Sequence, residues 1–256
     1  MRQRQLRAVL FDLGETLLDV GGATPDYAAQ SRRDLREVYD YVCEQGHPAP
    51  PWEAFHDTLS GLLFAQWRMR QREGRALDVA AVLREGISAL GLSLSPDELA
   101  ECLRHHFRSS DESAVLYPDV LPTLHALRAA GWTLGLISNS IWPASCHDET
   151  LARLGIRDLF AVRLYSADVG YQKPHPAIFR QALAALQLTP AEAVYVGDRL
   201  DADIAGAHAV GMRGILRVVP YRVEANGEIV PDARIEMLAE LPALLARWSA
   251  AEELMP

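Results

Sequence analysis

The sequence predicts an α/β protein in which a parallel sheet is interrupted by an all-helical insertion, and three observations support this fold class. Short apolar segments alternate with amphipathic ones through the second half of the chain, as parallel strands alternate with the helices that cover them. A similar apolar segment, "AVLF" at residues 8–11, lies near the N-terminus. The stretch at residues 26–107 is rich in Arg, Glu, Ala and Leu and contains no convincing strand.

The individual elements follow from hydrophobic periodicity and from the Pro and Gly residues at helix ends. The first strand is "AVLF", and the insertion is predicted to hold helices at 26–46, 51–74, 77–91 and 95–109. The later strands are predicted at 133–139, 160–166, 193–198 and 214–219. The helices between them are predicted at 120–131, 176–188 and 201–212.

This order of elements also predicts the domains. One strand before the insertion and the others after it indicate a Rossmann-like core that is continuous in space but not along the chain. We expect the α/β core to comprise residues 1–20 and 116–256 and the helical cap to comprise residues 21–115. The linkers between them are expected near 20–25 and 109–118.

The composition argues against several classes of function. A formal net charge of -9 and a pI near 5.4 do not suit a protein that binds a nucleic-acid backbone, because such binding needs clustered Lys and Arg. The cysteines Cys43, Cys102 and Cys146 are far apart and predict neither a disulfide framework nor a zinc site. Asp12 and Glu15 interrupt the N-terminal apolar run, so it does not resemble a signal peptide. We expect a cytoplasmic monomer or homodimer with no nucleic-acid or membrane partner.

Polar residues stand at the ends of the predicted strands. Asp12 follows the first strand, Ser138 and Asn139 end the second, and Asp198 ends a later one, while Lys173 lies in a loop between them. Each has an ordinary explanation when taken alone, such as a turn, a helix cap or a solvated lysine. Ligands of open parallel sheets bind beyond the carboxyl ends of the strands, so the joint occurrence of these residues favours one shared site.

The residue types at this site predict the chemistry. Three carboxylates, those of Asp12, Asp198 and Asp203, require a compensating cation if they lie together. Mg²⁺ suits them because it prefers oxygen ligands and is often shared with substrate phosphates. Lys173 adds a second positive charge, and hydroxyl or amide donors nearby suit phosphate oxygens. We therefore predict a Mg²⁺ site that receives a small anionic substrate.

The segments that carry these residues are "VLFDLGETL", "LISNS", "GYQKPHPAIF" and "YVGDRLDADIAGAHAVGM". Together they resemble the four motifs of the haloacid dehalogenase-like hydrolase superfamily, in the subfamily whose helical cap is inserted soon after the first motif. The resemblance extends over essentially the whole chain. It implies a hydrolase with Mg²⁺ as cofactor and a small phosphorylated, or otherwise anionic, substrate.

The resemblance also implies a role for each matching residue. Asp12 is expected to be the nucleophile that forms an aspartyl-phosphate, and Lys173 is expected to orient it and to neutralise the phosphate. Asp203 is expected to support the metal site. The implied metal ligands are Asp12, the backbone carbonyl of Gly14, Asp198 and Asp203. Thr16 and Ser138 are expected to hold the phosphoryl group. Asn139 is a further expected substrate ligand because of its amide donors, and not through the resemblance.

Gly14 departs from the family pattern. Phosphatases of this family have an aspartate there, which protonates the leaving group and later activates water. Losing a positioned acid typically costs ~10²–10⁴ in rate for leaving groups that need a proton. Glu15, where the family commonly has glycine, is a candidate catalytic replacement. The alternative is that Glu15 forms a local hydrogen bond or faces the cap linker.

Several functions fit this site. The first is a Mg²⁺-dependent phosphatase of a small metabolite with a good leaving group. A 2-haloacid dehalogenase would not need an acid at Gly14, but Asp198 and Asp203 would then repel the substrate carboxylate. A phosphonate-cleaving enzyme would need a cap lysine, and residues 26–107 contain none. A non-catalytic protein that binds a phosphorylated ligand is the fourth possibility.

The predicted cap contains a run of basic residues, Arg68, Arg70, Arg72 and Arg75. Such a run predicts a solvated helix face. The alternative is that one of these side chains reaches the cleft and meets an anion.

Overall fold

The structure is a computed structural model that describes residues 6–19, 27–220 and 229–253. Its strands are β1 (Ala8–Phe11), β2 (Leu18–Asp19), β3 (Val115–Leu116), β4 (Thr133–Ser138), β5 (Val162–Tyr165), β6 (Ala193–Gly197), β7 (Arg213–Arg217) and β8 (Ala233–Ile235). Its helices are α1 (Tyr27–Glu44), α2 (Trp52–Glu73), α3 (Val79–Ala89), α4 (Pro96–Glu112), α5 (Val120–Ala129), α6 (Ala144–Arg153), α7 (Ser166–Val169), α8 (Pro176–Leu186), α9 (Ala205–Val210) and α10 (Leu241–Glu253). A wide helical turn, Leu200–Ile204, leads into α9.

Six strands form one parallel sheet in the order β5-β4-β1-β6-β7-β8. β1 lies between β4 and β6, with Phe11 opposite both Leu136 and Val196. The predicted α/β class with a parallel sheet is therefore confirmed. Because neighbouring parallel strands end at the same edge, the residues that follow β1, β4 and β6 are brought together there.

Both faces of the sheet are buried, which explains why its central strands are apolar without interruption. Alternate residues of β1 point to opposite faces, so Phe11 joins one hydrophobic cluster and Leu10 joins another. Tyr195 of β6 lies in the same cluster as Leu10. This packing holds the strand ends in fixed positions beside the site.

Helices α1 to α4 lie between β2 and β3 along the chain and share a third hydrophobic cluster. Leu35, Phe55 and Leu59 are among its completely buried members. α4 begins with a capping box in which Ser95 and Glu98 exchange hydrogen bonds. β2 and β3 pair antiparallel where the chain leaves the sheet region and returns to it. The assignment of residues 21–115 to a separate domain stays a prediction.

Some elements differ from the sequence prediction. α4 continues to Glu112, so the second linker is shorter than 109–118, and the first linker at 20–25 lies outside the described residues. The predicted helix at 201–212 is divided into the wide turn and α9. β2, β3, β8, α6, α7 and α10 were not predicted, because short or partly exposed segments carry little periodicity. None of the helices in the described ranges has the length and apolar composition that crossing a bilayer requires.

Candidate active site

Three buried carboxylates meet at the carboxyl edge of the sheet. Asp12 follows β1, and its backbone N–H donates to the Val196 carbonyl at 2.9 Å, which fixes it against β6. Asp198 follows β6, and Asp203 lies in the turn before α9. Carboxylate oxygens of these three aspartates lie within 4.8 Å of one another. The structure thus brings together the acidic residues that the sequence assigned to one site.

Lys173 lies among these carboxylates. Its Nζ is 2.6 Å from Asp12 Oδ1 and 2.7 Å from Asp203 Oδ1, and it donates to the Tyr195 hydroxyl at 2.9 Å. Burial alone would lower the pKa of Lys173, but the two aspartates outweigh it and raise the pKa above its ordinary value. Lys173 is the single lysine of the chain. A compact ammonium can meet three separate acceptors, whereas the planar fork of an arginine is suited to paired oxygens.

Tyr195 is a member of the site that the sequence analysis missed. Its hydroxyl accepts from Lys173 and donates to the Ile137 carbonyl at 2.9 Å. Burial and the nearby aspartates raise the pKa of Tyr195 well above its usual value, so it remains a neutral phenol. Within "AVYVGD", Tyr195 resembles one more apolar strand residue. Nothing in the sequence indicated that its hydroxyl meets a lysine in another loop.

Asn139 holds the backbone of Lys173 from both sides. Its Oδ1 accepts from the Lys173 N–H at 2.7 Å, and its Nδ2 donates to the Lys173 carbonyl at 3.0 Å. Ser138, which precedes it, is buried at the end of β4. Asn139 therefore positions Lys173, while its predicted contact with substrate stays a prediction.

Asp203 is held in place by backbone as well as by Lys173. Its Oδ2 accepts from the Arg199 N–H at 2.9 Å. Burial raises the pKa of Asp203 more than the charge of Lys173 lowers it. Because Oδ2 accepts from backbone and Oδ1 forms an ion pair with Lys173 at 2.7 Å, Asp203 suits the supporting role better than that of a direct metal ligand. Asp12 and Asp198 are then the carboxylates best suited to contact a cation directly.

The position of Asp203 depends on a glycine at residue 197. A Cβ atom on Gly197 would lie 2.4 Å from the Asp203 carboxylate, which is too close for any real contact. We expect Gly197→Ala to lower the free energy of unfolding by roughly 1–3 kcal/mol, because such overpacking forces buried atoms apart. Urea denaturation measures this change.

The matched control for that substitution is Gly14→Ala. A Cβ atom on Gly14 would meet nothing within 4 Å. We expect Gly14→Ala to change the free energy of unfolding by no more than about 0.5 kcal/mol, because the position is not crowded. Equal stability of Gly197→Ala and Gly14→Ala would contradict the close approach of Gly197 to Asp203.

Glu15 lies in the turn after β1 with a positive φ of 57°. Glycine adopts this conformation without strain, whereas other residues rarely adopt it. Its carboxylate accepts a hydrogen bond of 2.6 Å from the Tyr117 hydroxyl. Burial and this carboxylate raise the pKa of Tyr117. The Arg217 guanidinium carbon lies 3.9 Å from the centre of the Tyr117 ring, and Arg217 also donates to the carbonyl of Thr16. Glu15 thus contacts the segment that returns from the helical insertion, and its role as an acid stays a prediction.

Thr16 offers a hydroxyl that lacks an internal partner. The residue is completely buried, and its Oγ1 has no hydrogen bond within the described part of the chain. Burying a hydroxyl without a partner costs free energy. An oxyanion ligand would supply the missing hydrogen bond, which fits the predicted contact between Thr16 and a phosphoryl group.

The donor set also fits a divalent cation. When ionised, Asp12, Asp198 and Asp203 carry three negative charges, and Lys173 neutralises one of them. A buried excess of negative charge is unfavourable unless a cation compensates it. Oxygen donors of this kind are typical Mg²⁺ ligands.

Comparison with known proteins identifies the family of the chain. A family model described as haloacid dehalogenase-like hydrolase matches residues 6–211 of the 256-residue chain. The chain therefore belongs to the haloacid dehalogenase-like hydrolase family. This confirms the resemblance drawn from the four motifs and makes the protein a hydrolase.

The similar proteins include enzymes named as phosphatases and an enzyme named as a dehalogenase. A glyceraldehyde 3-phosphate phosphatase of Pyrococcus furiosus is 40% identical over 246 residues, covering 94% of this chain and 92% of that protein. A glyceraldehyde 3-phosphate phosphatase of Methanopyrus kandleri is 43% identical over 128 residues, and this match covers 49% of this chain but only 54% of that protein. The crystal structure of a 2-haloacid dehalogenase from Pseudomonas syringae pv. Tomato DC3000 is 30% identical, with a TM-score of 0.66, and covers 95% of this chain and 100% of that chain.

Proposed function

We propose that this hydrolase is a Mg²⁺-dependent phosphatase that cleaves a small phosphorylated metabolite through an aspartyl-phosphate on Asp12. The observation that carries the proposal is the buried group of Asp12, Asp198 and Asp203 around Lys173. An anionic phosphate binds beside these carboxylates only when cations offset their negative charge. Lys173 is one of these cations, and the donor set suits Mg²⁺ as the other.

The same group favours phosphate transfer over dehalogenation. A haloacid carries its own carboxylate and loses a halide that needs no metal, so Asp198 and Asp203 would only repel it. The phosphatase of Pyrococcus furiosus also shares more identity with the chain, 40%, than the dehalogenase structure does, at 30%. Phosphate is therefore the group whose transfer this site suits better.

The proposed reaction has two steps at Asp12. In the first, a carboxylate oxygen of Asp12 forms a bond to phosphorus while the bond from phosphorus to the leaving oxygen breaks. In the second, water attacks the phosphorus of the acyl phosphate, inorganic phosphate leaves, and the carboxylate is restored. Lys173 holds Asp12 through its 2.6 Å contact and offsets negative charge on the phosphoryl group. Thr16 and Ser138 supply hydroxyls for the phosphoryl oxygens.

Mg²⁺ would be held by Asp12, Asp198 and the backbone carbonyl of Gly14, with Asp203 in support. When bound, it would neutralise charge on the phosphate that a single lysine cannot offset. The residues at 21–115 would act as the cap that covers this site.

The leaving group receives no proton from residue 14, because Gly14 has no side chain. Glu15 is the nearest acidic residue in sequence, but its carboxylate is engaged by Tyr117. We therefore propose that, among substrates that bind equally well, those with a good leaving group, which departs without a proton, react fastest.

Removal of the metal tests the proposed cofactor. Phosphate release from 4-nitrophenyl phosphate is expected to stop when EDTA is added and to return with excess Mg²⁺, because the carboxylates would otherwise repel the phosphate. Malachite green detection of phosphate measures both states. Chloride release from 2-chloropropionate in the presence of EDTA would instead establish the dehalogenase.

A further inference from the structure

A small cavity of about 90 Å³ lies between the end of α2 and the loops that follow β4 and β5. It adjoins the candidate active site, because Asn139 lines it and also holds the backbone of Lys173. Gln172, which precedes the lysine, is another lining residue. The remaining lining residues include Trp67, Arg70, Arg75 and Leu77 on the helical side. A small substrate that occupies both places would have its phosphate at Asp12 and its other end in this cavity.

The lining of the cavity suits an anion. It includes two arginines of the basic run, Arg70 and Arg75, and no carboxylate. Arg75 is exposed, and its guanidinium lies 5.1 Å from the centre of the Tyr171 ring. Arg70 is half-buried, its Nε is buried without a hydrogen bond, and it forms no ion pair with any residue that the structure describes. The alternative considered for the basic run, an arginine that reaches the cleft, therefore applies to Arg70.

We propose that Arg70 binds a carboxylate at the non-phosphate end of the substrate, so that this cavity selects small phosphorylated hydroxy acids. The inference rests on the proposed phosphatase function and adds the class of substrate. A buried guanidinium nitrogen without a partner is costly, and a carboxylate satisfies the guanidinium fork with two charge-assisted hydrogen bonds. An aldehyde or an alcohol at the same place would offer Arg70 no charged partner.

The size of the cavity limits the acid. An engineered cavity of roughly 150 Å³ accommodates a benzene molecule. The volume here, about 90 Å³, therefore suits a two- or three-carbon fragment rather than a sugar ring or a nucleoside. 3-Phosphoglycerate, glyceraldehyde 3-phosphate and glycerol 3-phosphate form a matched series, because they differ only at the end that would meet Arg70.

Binding to the Asp12→Asn protein tests the inference without turnover. In isothermal titration with Mg²⁺ present, we expect 3-phosphoglycerate to bind at least about tenfold more tightly than glycerol 3-phosphate, as for one charge-assisted contact. Adding Arg70→Gln is expected to reduce this preference to about twofold or less. Adding Arg72→Gln, on the same helix but outside the cavity lining, is expected to preserve it. Adding Arg70→Lys, which keeps the charge but not the fork, is expected to give an intermediate preference.

Three outcomes would overturn the inference: equal binding of the two ligands, no binding of either, or a preference that survives both Arg70 substitutions. The proposed function is judged separately, by phosphate release from 4-nitrophenyl phosphate with the wild-type protein. If the aryl phosphate is hydrolysed but the carboxylate preference is absent, the assignment of Arg70 fails alone. If the preference is present but no phosphate ester is hydrolysed, the phosphatase proposal fails and the binding assignment stands.

Discussion

Asp12→Asn is expected to reduce phosphate release by more than about 100-fold while the protein remains folded. The amide is nearly isosteric with the carboxylate but cannot attack phosphorus. The fold should tolerate the change, because Lys173 keeps its contacts with Asp203 and the Tyr195 hydroxyl at 2.7 and 2.9 Å. Steady-state phosphate release and thermal denaturation measure the two effects. Turnover above about one hundredth of the wild-type rate would remove Asp12 as the nucleophile.

Asp201→Asn is the matched control for this substitution. Asp201 lies between Asp198 and Asp203 in sequence, but its side chain is 62% exposed and pairs with Arg199 at 2.7 Å. Exposed ion pairs of this kind contribute little to stability, so this variant should keep at least half of the wild-type rate. A comparable loss in both variants would indicate that neutralising any aspartate of this region disturbs the site.

Gly14→Asp is expected to raise the hydrolysis of alkyl phosphates at least tenfold more than that of aryl phosphates. A positioned acid is worth ~10²–10⁴ for a leaving group that needs a proton, whereas an aryl phosphate departs without one. The structure has room for the change, since a Cβ on Gly14 would meet nothing within 4 Å and its φ lies outside the left-handed region. The ratio of kcat/KM for glycerol 3-phosphate and 4-nitrophenyl phosphate is the measurement.

Two further variants separate the acid from other effects at this turn. Gly14→Asn adds a side chain of the same size without an acid and should leave the ratio unchanged. Glu15→Gln tests the rival source of the proton, because it keeps the size of the side chain beside Tyr117. A loss of tenfold or more in alkyl-phosphate turnover on Glu15→Gln would identify Glu15 as the acid. If Gly14→Asp leaves the ratio unchanged, protonation of the leaving group does not limit the enzyme.

The parallel sheet was predictable because its strands are buried on both faces. Such strands are continuous apolar runs, and "AVLF" and "AVYV" stand out from their surroundings without any knowledge of their neighbours. β2 and β3 were not predictable, because each has only two residues and forms through pairing with the other. The extension of α4 to Glu112 was missed for a related reason, since packing rather than periodicity decides where such a helix ends.

The sequence by itself determined which polar residues end the central strands, and thereby placed Asp12, Ser138 and Asp198 at one edge of the sheet. That information is local: an apolar run must stop at a polar residue, and parallel neighbours stop at the same edge. Only the tertiary structure decided how side chains from distant loops meet. The contacts of Lys173 with Tyr195, of Glu15 with Tyr117, and of Arg70 with the cavity join residues far apart in the chain. Such contacts depend on how whole helices, strands and loops pack against one another. Local patterns of hydrophobicity or charge do not predict that packing.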